Sequence, residues 1–142
     1  MRRAIPMPER RRMIDRVRSV LESHPEVVFA YVHGSFLDPA AVPRDLDVAV
    51  YVSQATARGS GILAEAGLED EVERALGGRV PVDLRVLNTA PPIFRFRALQ
   101  GELLLDRDPD LRAAVTADAA CRYNDLAPFL AHYAKEAYGH DD

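Results

Sequence analysis

Two apolar runs joined by a short irregular loop constrain this chain more than any other stretch. Residues 27–32 and 46–52 are rich in β-branched side chains, a pattern typical of buried strands. Gly34 and Ser35 stop the first run, and prolines keep the loop that follows irregular. The pattern predicts two strands that bring a small-residue turn to one edge of a sheet.

The remaining periodicity predicts one α/β or α+β domain over residues 1–142, with a small sheet and a helical C-terminal segment. A flexible turn is expected at residues 59–61, and Pro128 should bend or divide the last helix. Apolar residues at helical or alternating spacing place the other elements. The predicted helices cover residues 8–24, 62–76, 91–101 and about 108–138, and two further strands cover residues 80–87 and 102–106.

The composition excludes several classes of protein. No stretch approaches the roughly 18 apolar residues of a membrane-spanning helix, and the chain has no GxxxxGK[ST], CxxC or HExxH motif. A net charge of −4 argues against direct nucleic-acid binding. Cys121 is the single cysteine, so no internal disulfide can form. We therefore expect a cytoplasmic protein and a buried thiol.

The basic residues are almost all arginine, and the first predicted helix carries a group of them. They lie mostly off the apolar stripe of that helix, so we interpret them as a solvated face. A phosphate-binding or partner-binding surface is the alternative. The group comprises Arg10, Arg11, Arg12, Arg16 and Arg18.

Asp45 and Asp47 stand two residues apart at the start of the second apolar run. Side chains at this spacing point to the same face of a strand. Asp83, in the third predicted strand, joins them if that strand lies beside the second. Close carboxylates raise each other's pKa unless a cation separates them, and all-oxygen ligands favour Mg²⁺ or Mn²⁺ over zinc. The three aspartates therefore suggest a site for two divalent cations.

Such a site suits phosphoryl transfer, because two metal ions about 3.5–4 Å apart can clamp the attacking and leaving oxygens of an in-line displacement. In this hypothesis Asp45 and Asp47 bind metal and orient a triphosphate. Asp83 binds the second ion and helps to deprotonate the incoming hydroxyl group. Gly34 permits close approach to a phosphate, and Ser35 adds a hydroxyl group and an N–H.

A second Asp-x-Asp triplet shows how little this pattern says alone. Asp106 and Asp108 have the same spacing, but no Gly-Ser turn precedes them. Asp108 stands before Pro109, where its carboxylate can cap the last helix, so we interpret this triplet as structural. The corresponding alternative for Asp45 and Asp47 is an exposed, solvated pair.

The spacing of the first group resembles the signature of DNA polymerase β-type nucleotidyltransferases: Gly34-Ser35, nine intervening residues, Asp45-x-Asp47, and Asp83 in a Val-Asp-Leu strand. The order that follows is similar to that of the minimal nucleotidyltransferases, the MNT-type antitoxins paired with HEPN-domain toxins. That order comprises a helix after Pro91-Pro92, the segment Gly101-Glu102-Leu103-Leu104, and a helix bearing Arg122-Tyr123-Asn124-Asp125 and Pro128. The resemblance covers residues 27–133.

This resemblance implies a mixed sheet flanked by helices, with magnesium and ATP at the edge that carries the carboxylates. Gly34 and Ser35 match the phosphate-contacting turn, and Asp45, Asp47 and Asp83 match the catalytic, metal-binding triad. Members of the antitoxin group transfer AMP from ATP to a tyrosine of the HEPN partner and so silence its RNase activity. The implied partner is therefore a HEPN-domain toxin, in a hetero-oligomer.

Two neighbouring positions need separate interpretation. Arg44 precedes the first aspartate, where relatives commonly have serine. We expect it to be exposed in the loop, with a contact to the triphosphate as the alternative. His33 precedes the glycine, and we expect it to pack or to form a hydrogen bond at the end of the strand, with a catalytic role as the alternative.

Two other functions remain open from the sequence. The chain could neutralise a toxin by binding and masking it without catalysis, or it could modify a small molecule such as an aminoglycoside. Small-molecule relatives usually carry more chain to shape the acceptor site. Template-independent polymerisation would need a basic and aromatic surface, for which the acidic composition gives no sign. AMP transfer to a HEPN toxin is the expected function.

Overall fold

Four strands form one mixed sheet with helices on both faces. The computed structural model describes residues 4–138, and side chains up to residue 132. The elements are α1 (Met7–Glu22), β1 (Val27–His33), β2 (Leu46–Val52), α2 (Gln54–Ala75), β3 (Val82–Val86), α3 (Pro92–Ala98), β4 (Glu102–Asp106) and α4 (Pro109–Tyr138). The strand order is β3–β2–β1–β4. Strand β1 is antiparallel to β2 and β4, whereas β2 and β3 are parallel.

The predicted α/β (α+β) fold, with its mixed sheet and C-terminal helix, is confirmed. Strands β2 and β4 have the predicted bounds, and β1 extends one residue further to His33. Strand β3 is shorter than predicted, because a 3₁₀ turn begins at Leu87 directly after Val86. No helix in the part of the chain that the structure describes is long and apolar enough to span a membrane.

Helix α2 begins earlier than the sequence predicts. Ser53 caps it, since the Ser53 hydroxyl accepts a hydrogen bond from the backbone N–H of Thr56 at 3.3 Å. The prediction of a flexible turn at residues 59–61 is wrong, because these residues lie within the helix at a kink. Only Ser60 leaves helical geometry there, with φ −143° and ψ 45°. The N-terminal cap thus outweighs the low helix propensity of the two glycines beside the kink.

The start of α4 agrees with the structural interpretation of the second Asp-x-Asp triplet. The Asp108 carboxylate accepts a hydrogen bond from the backbone N–H of Leu111 at 3.1 Å, as a helix cap does. Asp106 accepts a hydrogen bond from the Arg112 guanidinium at 2.7 Å. Both carboxylates are therefore engaged in holding this helix against the end of β4.

Pro128 does not divide α4, which runs as one element over Pro109–Tyr138. The expectation of a buried Cys121 is wrong. Cys121 is exposed and not buried. The reason is geometric, since α4 packs on the sheet through Val115 and Ala119, and a helix turns about 100° per residue, so that position 121 faces away from Ala119.

The two faces of the sheet carry different cores. Helices α1 and α2 cover an aliphatic face, whereas α3 and α4 cover a face that contains Phe29, Tyr31 and Tyr51. Phe29 stacks on Tyr51 with ring centroids 4.9 Å apart. Because side chains alternate along a strand, Asp47 and Asp83 belong to this aromatic face and continue it to the sheet edge.

A row of glutamates on α2 occupies the outer edge of β3. Successive glutamates are four residues apart, and they accept hydrogen bonds from strand N–H groups two residues apart. Four helix residues rise about 6 Å and two strand residues about 6.6 Å, so the two repeats match. This arrangement satisfies an edge that could otherwise pair with another chain. The pairs are Glu65 with Val86 at 2.8 Å, Glu69 with Leu84 at 2.9 Å, and Glu73 with Val82 at 2.9 Å.

The glutamate row predicts a specific stability effect. Glu69→Ala leaves the Leu84 N–H without its acceptor and should lower the free energy of unfolding by about 1–3 kcal/mol. Glu69→Gln keeps a carbonyl oxygen in place and should lower the free energy of unfolding by less than Glu69→Ala does. Urea unfolding measures both, with Asp70→Ala as the control, because Asp70 forms an exposed ion pair with Arg74. Equal stability of Glu69→Ala and Asp70→Ala would contradict this role of the row.

Candidate functional site

Three carboxylates meet at the sheet edge where β1 ends and β2 and β3 begin. Asp47 is the register partner of both Asp83 on β3 and His33 on β1. Asp45 lies in the bend one residue before β2. One carboxylate oxygen from each of Asp45, Asp47 and Asp83 lies within 4.8 Å of the others. The structure thus brings together the three aspartates singled out in the sequence.

Burial and the crowding of these carboxylates together raise the pKa of Asp47. Burial raises the pKa of Asp47 to about 6, and the negative charges of Asp45 and Asp83 add to the increase. The Arg85 guanidinium acts in the opposite direction, because its positive charge favours the ionised form. A nearby divalent cation would favour ionisation in the same way, so this pKa marks a position where a cation would bind favourably.

Gly34 leaves the space that the Asp47 carboxylate occupies. Its φ of +82° lies in the left-handed region, and a Cβ atom built on it would stand 2.5 Å from Asp47 Oδ2. Any larger residue would therefore displace the carboxylate or the turn. Ser35 follows as an exposed residue in the 3₁₀ turn Gly34–Leu37. The backbone at Gly34 therefore lies against the Asp47 carboxylate.

Arg85 and Phe94 are part of the site and were missed in the sequence. Arg85 Nε lies 3.2 Å from Asp83 Oδ1, and its guanidinium stands over the Phe94 ring at 5.2 Å from the centroid. The same two-residue spacing that joined Asp45 to Asp47 could have identified Arg85, since it follows Asp83 by two positions on β3. Phe94 comes from α3, and only the tertiary structure places it here.

His33 and Arg44 occupy the positions expected of them. His33 packs edge-on against Phe94, with ring centroids 5.5 Å apart and an angle of 84° between the planes. Its Nε2 atom is buried without a hydrogen-bond partner among the residues described, and burial lowers the pKa of its imidazole. Arg44 is exposed in the loop, as expected, and its alternative contact with the triphosphate stays a prediction.

The interpretation of the α1 arginines as a solvated face is wrong for Arg10, which is only 3% exposed. The Arg10 guanidinium donates hydrogen bonds to the carbonyl oxygens of Phe36 at 3.3 Å, Asp38 at 2.8 Å and Ala41 at 2.6 Å. Arg10 lies four residues before Ile14, on the apolar side of the helix. The Arg10 side chain therefore contacts the loop between Gly34 and Asp45.

The donor set fits a hard divalent cation. It consists of three carboxylates, which supply oxygen ligands without nitrogen or sulfur. A cation among them would offset the burial and the repulsion that raise the pKa of Asp47. The backbone at Gly34 approaches the same carboxylate closely enough for a metal-bound phosphate to contact the turn. The arrangement can therefore hold a phosphate-bearing ligand through a metal ion.

The family model for polymerase β nucleotidyltransferases matches residues 15–110, more than half of the chain and the segment that contains the site. The chain belongs to this family. The fold and the predicted resemblance to nucleotidyltransferases are thereby confirmed at the level of the family. No curated protein sequence matches this nucleotidyltransferase chain significantly.

Several solved structures share the fold. A chain of the MntA–HepT toxin–antitoxin structure aligns with a TM-score of 0.68 and 15% identity, covering 90% of this chain and 98% of its own length. A chain from the complex of tri-AMPylated Shewanella oneidensis HEPN toxin with MNT antitoxin aligns with a TM-score of 0.70 and 16% identity. That alignment covers 91% of this chain and 98% of the related chain. A chain of a toxin–antitoxin structure with AMP-PNP aligns with a TM-score of 0.71 and 17% identity, covering 88% of this chain and 98% of its own length. At such low identity these similarities concern the fold.

Gly34→Ala tests the contact between the turn and Asp47. Both Gly34 and Gly77 have left-handed φ, but a Cβ atom at Gly77 would meet nothing within 4 Å. Each alanine substitution should cost roughly 1–2 kcal/mol for the backbone, and Gly34→Ala should cost a further 1–3 kcal/mol or so for the clash. Chemical unfolding of both variants measures the difference. Equal losses of stability would contradict the close packing of Gly34 on Asp47.

The Asp47 carboxylate predicts a pH dependence of stability in a chelating buffer. Its pKa is raised from 3.8 to about 6, so the folded protein holds this proton more tightly than the unfolded chain. The resulting stability is complete below pH 3.8 and is lost as the pH rises through about 6. Asp47→Asn removes this contribution. The free energy of unfolding of the variant relative to wild type should therefore increase as the pH rises from 3.8 to about 6.

Urea unfolding of wild type and Asp47→Asn across this pH range measures that difference. Asp70→Asn serves as the control, because Asp70 is exposed and lies outside the carboxylate cluster. Its stability relative to wild type should change little over the same range. A constant difference between wild type and Asp47→Asn would show that the Asp47 pKa is not raised.

Proposed function

We propose that this chain is a Mg²⁺-dependent protein adenylyltransferase that transfers AMP from ATP to a tyrosine hydroxyl of a HEPN-domain RNase toxin and thereby neutralises it. The observation that carries the proposal is the convergence of Asp45, Asp47 and Asp83 within 4.8 Å beside Gly34, in a chain of the polymerase β nucleotidyltransferase family. Three carboxylates at a glycine turn suit a nucleoside triphosphate held through metal.

The proposal gives each residue a role. Asp45, Asp47 and Asp83 hold the metal ions, with Mg²⁺ as the expected ion and Mn²⁺ as a substitute. Bound metal supplies positive charge to the phosphates. Gly34 and Ser35 contact the triphosphate through the backbone and a hydroxyl group. The acceptor oxygen attacks the α-phosphorus, its proton passes to the Asp83 carboxylate, and pyrophosphate leaves, so that AMP becomes bound to the acceptor.

The acceptor is inferred from proteins of the same fold. One similar structure contains a tri-AMPylated HEPN toxin with its MNT antitoxin, and another toxin–antitoxin structure contains AMP-PNP. In both, the alignment covers nearly the whole related chain. We therefore infer that this chain acts as one nucleotidyltransferase domain over residues 1–142, in a cytoplasmic hetero-oligomer in which the toxin presents the hydroxyl group.

A transfer assay tests the proposal directly. The purified chain, Mg²⁺ and ATP labelled at the α-phosphate are incubated with a HEPN protein encoded beside it, and label on that protein is measured. Asp47→Asn should lower transfer at least about a hundredfold, since it removes a charged metal ligand. The matched control is Asp108→Asn, which lies in the other Asp-x-Asp triplet and retains a good helix-capping side chain.

Two outcomes would defeat the proposal. Absence of label on the HEPN protein would show that this protein is not the acceptor. Equal transfer by wild type and Asp47→Asn would show that the carboxylate site does not catalyse the transfer. A growth assay separates catalysis from masking. If Asp45→Asn/Asp47→Asn still blocked toxicity as wild type does, neutralisation would occur by binding alone.

A further inference from the structure

We propose that Arg10 is a positioning residue that holds the loop between Gly34 and Asp45 in the geometry required for triphosphate binding. This inference rests on the proposed function, because it concerns the same nucleotide site. Arg10 lies on α1, outside the segment of the chain that carries the carboxylates and the Gly-Ser turn. It acts through the loop and is not proposed to touch the nucleotide.

The contacts of Arg10 determine the shape of the loop. Its Nη1 atom donates to the carbonyl oxygens of Phe36 and Asp38, and its Nη2 atom donates to that of Ala41 at 2.6 Å. The guanidinium also stands over the Phe36 ring, 5.7 Å from the centroid. A planar, rigid group with several donors fixes the relative positions of its acceptors better than a lysine does. These contacts join both halves of the loop to α1.

Arg10 is unusual because its acceptors, among the residues that the structure describes, are all backbone carbonyl oxygens. Besides the loop carbonyls, its Nε atom donates to the carbonyl of Ile5 at 2.7 Å. A charged group that is 3% exposed loses much of its hydration, and this loss must be offset by well-formed hydrogen bonds. Movement of the loop away from Arg10 would break three of these hydrogen bonds at once. The loss of these hydrogen bonds opposes the movement.

The loop is connected directly to the nucleotide site at both ends. The Asp38 N–H donates to the Ser35 carbonyl at 3.0 Å, and the Ala41 N–H donates to the Asp38 carbonyl at 3.0 Å. The Asp38 carbonyl is also an acceptor of Arg10 at 2.8 Å. Displacing the centre of the loop would thus disturb the turn at Ser35, and Asp45 follows Ala41 by four residues along the chain. A site ordered before binding loses less entropy when the ligand arrives.

Substitutions at Arg10 test the inference. Arg10→Met removes the charge and the donors, whereas Arg10→Lys keeps the charge but loses the planar fork. Calorimetric titration with AMP-PNP and Mg²⁺ should show binding weakened by roughly tenfold or more for Arg10→Met and by less for Arg10→Lys. The matched control is Arg12→Met, an exposed position on the same helix. It should bind as wild type does.

A kinetic readout separates positioning from general stability. Measured well below the melting temperature of each variant, transfer by Arg10→Met should show a raised KM for ATP and a smaller change in kcat. Partial recovery of KM in Arg10→Lys supports the same conclusion. A folded Arg10→Met variant with the AMP-PNP affinity and KM of wild type would overturn the inference.

Hydrogen exchange of the wild-type protein tests the inference even if Arg10→Met does not fold. The amides of Asp38 and Ala41 should be protected before nucleotide is added, because the loop is already closed. Free exchange of these amides in the nucleotide-free protein would overturn the inference. The proposed function fails separately, if wild type itself binds no AMP-PNP in the presence of Mg²⁺.

Discussion

Repulsion among three carboxylates is the constraint on which the rest of this structure depends. Asp47 faces Asp83 across a parallel strand pair, and Asp45 lies close enough for all three to share one ion. A fold that holds like charges together must stabilise them elsewhere. Here Arg85 pairs with Asp83 at 3.2 Å, the missing side chain of Gly34 leaves space for Asp47, and two apolar cores anchor the strands from both faces.

The connection between β2 and β3 gives the carboxylates their proximity. Parallel neighbours need a long crossover, and α2 supplies it. The same helix then satisfies the outer edge of β3 with its row of glutamates, the first of which is Glu65. One helix therefore both connects the strands that carry Asp47 and Asp83 and stabilises the outer edge of β3. A site built on paired strands is positioned more accurately than one built on loops alone.

Particular residues show why prediction from the sequence succeeded and where it stopped. Asp83 could be assigned to the site because the β2 and β3 runs are apolar and short, and the family resemblance supplied their adjacency. Arg85 follows from the two-residue strand period, although its partner Phe94 does not. Arg10 lies on the same helical stripe as Ile14 and Val17, yet an arginine on an apolar stripe is usually a helix-surface residue. Its carbonyl acceptors come from a loop that local periodicity cannot place.

The sequence by itself determined the strands at β1 and β2, the helix cap at Asp108, and the choice of Asp45, Asp47 and Asp83 as candidate site residues, because each depends on local spacing and local hydrogen bonding. The tertiary structure decided which carboxylates meet, that the early turns of α2 join the helix, and that Cys121 is exposed. It also explains why the turn after β1 contains a glycine. Gly34 is required there because its missing Cβ atom leaves room for Asp47, a contact between segments thirteen residues apart.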